Sequence, residues 1–199
     1  MQSIIHQRVN GAPAILSVPH PNGLGDTSEQ ASITVGRRAD ISELTELFRA
    51  AGRFRKTFGP SDWLDNASEI ANEVRQTDHF VLRMDERLVG AVCIKHARPV
   101  TAPPSIEAGW PQIARLAVDP AFSGQGLGAR LLGEVERYCR GSLGCAKVYL
   151  FWRDLTSDFH SGLGKIYLRN GYQHEGTVYV EADARHPARY HHFGVKSLV

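Results

Sequence analysis

The chain has 199 residues, with Lys+Arg 23 against Asp+Glu 21 and a formal net charge of +2. That balance is too even to indicate a nucleic-acid partner or an anionic membrane surface, and the length suits one domain with a core that needs no disulfide staples. The three cysteines, Cys93, Cys139 and Cys145, are odd in number and lack CxxC spacing, which points to a reducing compartment. At the N-terminus the short apolar stretch around Ile15 is interrupted by Pro13, bounded by Pro19 and lacks a cationic flank, so the expectation is a cytoplasmic protein without signal peptide or membrane span.

Residues 1–31 carry Gly11, Pro13, Pro19, Pro21, Gly23 and Gly25 without a sustained period and read as an irregular arm, leaving 32–199 as the folded domain. Ile33 to Val35 begins a short strand. Asp40 with Glu43 three residues on forms a capping-box-like pair, and Ile41, Leu44, Leu47 and Phe48 give the buried stripe of a helix. Residues 49–61 are basic and aromatic, broken by Gly52, Gly59 and Pro60. Ser61-Asp62 opens a second helix running to about Gln76, with Trp63, Leu64, Ile70 and Val74 available to bury. His79–Arg83 and Arg87–Ala97 form a hairpin turned at Asp85-Glu86, and the nearly continuous apolar run from Leu88 to Ile94 fits a strand covered on both faces. A proline-rich loop spans 98–109.

The stretch 111–140 organises the chain. Ile113, Leu116, Ala117 and Val118 make a strand that Pro120 stops by removing a ladder donor. Gly124, Gly126 and Gly128 follow at alternate positions, and then Leu131, Leu132, Val135 and Cys139 recur at helical spacing. Each glycine costs a helix about 1 kcal/mol relative to alanine, so bare backbone at this junction needs a reason. A helix N-terminus offers unpaired N–H groups and a positive dipole end, and glycines let a phosphate approach them. A P-loop is excluded, because no lysine follows Gly128, and the GxGxG spacing departs from the GxGxxG dinucleotide fingerprint.

Ala146–Trp152 is the next strand and 153–164 a polar loop. Lys165 to Tyr172 reads as a helix ended by Gly171 as a left-handed stop. Thr177–Glu181 and Arg189–Val195 close the sheet as a strand pair.

Two of these segments carry a family resemblance. Ser123-Gly124-Gln125-Gly126-Leu127-Gly128 resembles the pyrophosphate loop [RQ]xxGx[GA] of the GCN5-related N-acetyltransferases, with Ser123 in the place of the usual Arg or Gln. Tyr167-Leu168-Arg169-Asn170-Gly171-Tyr172 resembles the family's L-Y-x-x-x-G-F helix ending. The strand–helix opening at Ile33–Asp40 and the run Asp85–Val92 are similar to the family's early elements, so the likeness covers about residues 33–199. It implies a mixed α/β fold: one central, mostly antiparallel sheet of about seven strands with a splayed central pair, flanked by about four helices.

It also implies roles. The backbone of Ser123, Gly124, Gln125, Gly126, Leu127, Gly128 and Ala129 would hold the pyrophosphate of acetyl-CoA as co-substrate. Leu116, Ala117 and Val118 would pair with the pantetheine arm, and one N–H of that strand would polarise the thioester carbonyl. His160 falls where the family often has an Asn contacting CoA. Tyr167 matches the general acid that protonates the leaving thiolate. The family's basic Glu corresponds to Gln112, which cannot take a proton; water, Glu107, Asp154 or Asp158 would have to substitute. Phe54, Phe58 and Trp63 are candidates to line the acceptor pocket. The acceptor would be a small-molecule or peptide amine, and a homodimer stays open. No metal is expected, since His186, His191 and His192 lack partners at ligand spacing. Two rival readings are a catalytically silent acetyl-CoA-binding module of the same fold, which Gln112 and Ser123 keep open, and a nucleotide-dependent oxidoreductase.

Overall fold

In the computed structural model the described residues are 16–17, 31–36, 38–54, 67–96, 100, 102–155, 157–158, 160, 162–183 and 188–199. Eight strands form one sheet: β1 (Leu16–Ser17), β2 (Ser32–Val35), β3 (Asp78–Met84), β4 (Arg87–Lys95), β5 (Gln112–Val118), β6 (Lys147–Asp154), β7 (Gln173–Val180) and β8 (Arg189–Ser197), in the order β1-β2-β3-β4-β5-β6-β8-β7. Among the described residues four α-helices accompany them: α1 (Ile41–Phe54), α2 (Ala67–Gln76), α3 (Leu127–Gly141) and α4 (Gly162–Arg169). Seven of the strands answer to the expected sheet. The eighth is β1, two residues of the N-terminal arm paired antiparallel to β2 through Leu16↔Ile33 and Ser17↔Ser32.

Side-chain alternation sorts the sheet into two covered faces. Phe80, Leu82 and Met84 of β3 point to a cluster containing Leu131, Leu132, Val135 and Cys139 of α3 with Tyr167 of α4. Val81 points the other way, with Leu44, Leu47 and Phe48 of α1, Leu88, Ala91 and Ala117. A strand buried on both faces has no polar alternation to show, and Leu88 to Ile94 is buried throughout. At Gly90 a Cβ would lie 2.9 Å from Leu131 Cδ1, so the buried Leu131 side chain would have to shift to admit it. The β3–β4 turn places both Asp85 (φ 46°) and Glu86 (φ 66°) in the left-handed region, as a tight two-residue hairpin turn requires.

The pairings are antiparallel apart from β5–β6, which is parallel. These two strands pair at Gln112↔Tyr149 and Ile113↔Leu150 and, among the described residues, no further. β5 runs on to Val118 and β6 to Asp154, so a gap opens between them. Gly171 has φ 85° and ends α4, with its N–H on Leu168 and that of Tyr172 on Tyr167, the helix stop read from the sequence. Tyr172 donates to Glu136 Oε1 at 2.9 Å, and Lys196 Nζ lies 2.5 Å from Glu136 Oε2, tying the end of α4 to α3 and β8.

Candidate active site around the strand gap

The glycine turn sits where β5 ends. Asp119 Oδ1 accepts the N–H of Ala121, and Oδ2 lies 2.5 Å from Arg87, so the residues leading into the turn are anchored on β4. Gly124 (φ 81°) and Gly126 (φ 76°) take left-handed conformations, and a Cβ at either would meet nothing within 4 Å. Packing therefore does not explain these glycines. Gly126 is the N-cap of α3, and no side chain caps that end. The turn residues from Ser123 to Gly126 and Ala129 are exposed, Leu127 is buried in the core, and Gly128 is half-buried against Val118. Donors at a helix start that lack a side-chain acceptor suit an anion.

Leu116, Ala117 and Val118 lie on β5 beyond its last pairing with β6. Their other edge is satisfied by β4, with Ala91↔Ala117 and Gly90↔Val118 in register. The strand thus presents one backbone edge to the gap. Across the gap, Trp152 lies two residues past Leu150, the last paired residue of β6. The ring of Tyr167, buried on α4, packs over Trp152 with centroids 4.9 Å apart. Tyr167 shares one apolar cluster with Leu127 of the glycine turn, and Leu116 and Val118 of β5 pack against that cluster. His160 is exposed in the turn before α4, its backbone N–H donating to Asp158 Oδ1 at 2.9 Å.

Gln112 is buried between Lys95 of β4 and Tyr149 of β6 by register. Glu107 and Asp158 are exposed and Asp154 is half-buried at the end of β6. A carboxylate that the sequence reading missed, Glu73 of α2, is held by the register neighbour of Gln112: Lys95 Nζ is 3.1 Å from Oε1 and Arg115 holds both oxygens, at 2.9 and 3.0 Å. Burial alone would raise the Glu73 carboxyl, but the Arg115 hydrogen bonds and charge, with Lys95, outweigh it and bring it to about 2. A carboxylate so acidic is a poor base. Of the acceptor-lining candidates, Phe58 and Trp63 lie outside the described residues, as does the side chain of Phe54. The side chains of Ile70 and Val74 and residues 55–66, where the second helix was expected to begin, lie outside them too.

Two groups bear on metal binding. His191 and His192 point to opposite faces of β8: His192 stacks on Trp152, while His191 lies against Phe151. Adjacent strand residues cannot converge on one ion, and His186 lies outside the described residues. Glu73, His79 and Cys93 have ligand atoms within 4.8 Å of one another. Lys95 and Arg115 already claim that carboxylate, and burial pushes the Cys93 thiol up to about 12, so the set suits a cation poorly.

His191 is buried, and burial together with the charges of Arg153, Arg189 and His192 lowers it to about 4. The unfolded chain takes up this proton near pH 6.5 and the folded chain only near 4. Stability is therefore expected to fall as pH drops through that window, by on the order of 3 kcal/mol from this group. Urea unfolding of the parent and His191→Leu between pH 7.5 and 4 checks this: the variant should lose less stability, and parallel profiles would refute it.

The acetyltransferase (GNAT) family model matches residues 42–172, well over half the chain. The chain belongs to this family. No curated protein matches it in sequence. Among solved structures, it is similar to a putative GNAT-family acetyltransferase from Desulfovibrio desulfuricans, at 18% identity over 85% of this chain and 99% of that one, with a TM-score of 0.63. A PaiA N-acetyltransferase from Thermoplasma acidophilum, solved in complex with coenzyme A, matches at 18% identity over 84% and 98% of the two chains with a TM-score of 0.61. An aminoglycoside 6'-N-acetyltransferase complexed with coenzyme A matches at 17% identity over 84% and 97%, with a TM-score of 0.59. At these identities the structures speak for the GNAT fold. Among the described residues, no helix is long and apolar enough to cross a membrane.

Proposed function

We propose that this chain moves an acetyl group from acetyl-CoA to a primary amine by direct attack in a ternary complex. The observation that carries the reading is the gap between β5 and β6, which opens after two paired positions and leads to the side-chain-uncapped start of α3. In this reading the N–H groups from Ser123 to Ala129 hold the pyrophosphate. Leu116, Ala117 and Val118 extend their ladder onto the pantetheine amides, and His160 borders the CoA near the start of α4. An N–H of β5 polarises the thioester carbonyl. The neutral amine attacks the carbonyl carbon, its surplus proton passes to solvent, the C–S bond breaks, and the Tyr167 hydroxyl gives its proton to the departing sulfur.

Acetyl-CoA is expected to raise the melting temperature while NAD and ATP do not. At a hundredfold excess over Kd a ligand specific for the folded state stabilises it by about 2.7 kcal/mol, or roughly 5–10 °C for a chain of this size. An unchanged melting temperature in saturating acetyl-CoA would sink the reading. A second reading, an acetyl-CoA-binding module without turnover, is favoured by Gln112 and by Glu73 being engaged with Arg115 and Lys95. Free-thiol release across a panel of small and peptide amines separates the two, since only the enzyme releases CoA in an acceptor-dependent way.

A further inference from the structure

β5 changes conformation where it leaves β6. Ala91 pairs with Ala117 and Cys93 with Ala114, so Arg115 and Leu116 together face the single residue Val92. This is a β-bulge, and Arg115 lies two residues past Ile113, the last residue of β5 paired with β6. Arg115 sits in it at φ 58°, a conformation that a residue with a Cβ resists and glycine accepts. The side chain supplies a reason for arginine. Its Nε lies 2.9 Å from Glu73 Oε1 and its Nη2 3.0 Å from Oε2, a fork-to-fork pair of the geometrically most specific kind. Lys95 Nζ, 3.1 Å from Oε1, fixes the same carboxylate from β4. Both partners are largely shielded from water, with side-chain exposures of 23% for Arg115 and 17% for Glu73.

We propose that Arg115 is a positioning residue: its clamp on Glu73 pins the bulge to α2 and so aims the N–H groups of β5 that face the gap. This rests on the function proposed above, in which a thioester carbonyl lies in that gap. Leu116 follows Arg115 directly and Ala117 is the next paired residue, so a change at Arg115 rotates the peptide planes that would polarise the carbonyl. The phosphate-binding turn lies beyond Asp119, which is anchored separately on Arg87.

The test uses the full chain and acetyl-CoA labelled with ¹³C at the carbonyl. Isotope-edited infrared spectra read the carbonyl stretch directly, and calorimetry reads affinity; neither needs an acceptor. In the parent the bound carbonyl band should lie below that of free acetyl-CoA. In Glu73→Gln, and in Arg115→Gly, which accepts the left-handed conformation, the band should return at least half-way to the free position. Affinity should stay within about threefold, and turnover on an accepted amine should fall by on the order of 10²-fold, as for other misplacements near 1 Å. If the parent does not bind acetyl-CoA, the functional reading fails and takes this one with it. If the parent binds but shows no band shift, or if the variants keep the parent's band, the clamp is overturned while acetyl-CoA binding stands. Loss of affinity in step with the band, or failure of both variants to fold, makes the pair purely structural and overturns it as well.

Discussion

Replacing Tyr167 by phenylalanine is expected to lower kcat by on the order of 10²-fold while leaving acetyl-CoA affinity nearly unchanged. The argument begins with position. α4 is a short helix stopped by Gly171, and it lays the Tyr167 ring on Trp152, just beyond the point where β6 parts from β5. A phenol ordinarily ionises near pH 10, so such a group carries its proton at neutral pH and can give it to a developing thiolate. Phenylalanine keeps the ring and its packing on Trp152 and Tyr172, whose centroids lie 4.9 and 6.0 Å away, and removes one oxygen. The measurement is steady-state turnover on an amine found by thiol-release screening, with acetyl-CoA binding followed by calorimetry. Turnover within about threefold of the parent is too small a change for a lost general acid and would leave solvent as the proton donor.

Gly126→Val is expected to weaken acetyl-CoA binding by on the order of 10–10²-fold, with folding retained at lower stability. Two effects combine. At φ 76° a β-branched residue is strained, at a cost of about 1–3 kcal/mol. The new methyls would also occupy open space in front of α3, since a Cβ there meets nothing within 4 Å. A phosphate kept out of that space forfeits one charge-assisted hydrogen bond of about 1.5–3 kcal/mol, which is the stated loss of affinity. Gly126→Ala separates the terms, because it pays most of the backbone strain and fills less of the space. Unchanged affinity in folded Gly126→Val would show that the glycine serves the turn alone.

The turn and the helix stop were legible in the sequence because glycine and its spacing carry a backbone requirement on their face, and Gly124, Gly126 and Gly171 do take left-handed conformations. Glycines at alternate positions ahead of a helical stripe, and Gly171 after one, have few other physical explanations, and the family likeness then placed Tyr167. The β4 strand was legible for a similar reason, since burial on both faces removes polar residues from it. Other elements hid. α4 begins at Gly162 rather than Lys165, because Gly162 and Gly164 are poor helix formers and mask its first turn. β7 begins at Gln173 rather than Thr177: its first three residues are exposed at the sheet edge, so nothing apolar announces them. Arg115 and Glu73 lie 42 residues apart, and neither type betrays that a bulge has turned one toward the other. An arginine in a left-handed conformation has no sequence signature, whereas a glycine there would have had one.

The brief pairing of β5 with β6 has a mechanical side. A continuous sheet shares load over many rungs, but here β1 to β5 and β6 to β8 are two plates joined along a seam two rungs long. α3 straddles that seam, packing on β3, β4 and β5 on one side and β6 on the other. Where the rungs stop, one apolar cluster takes over, with Phe80, Val92 and Ile113 from one plate and Val148, Leu150 and Trp152 from the other packed together with α3. Anything that lies along the open part of the seam and bonds to β5 adds rungs to it on the β5 side.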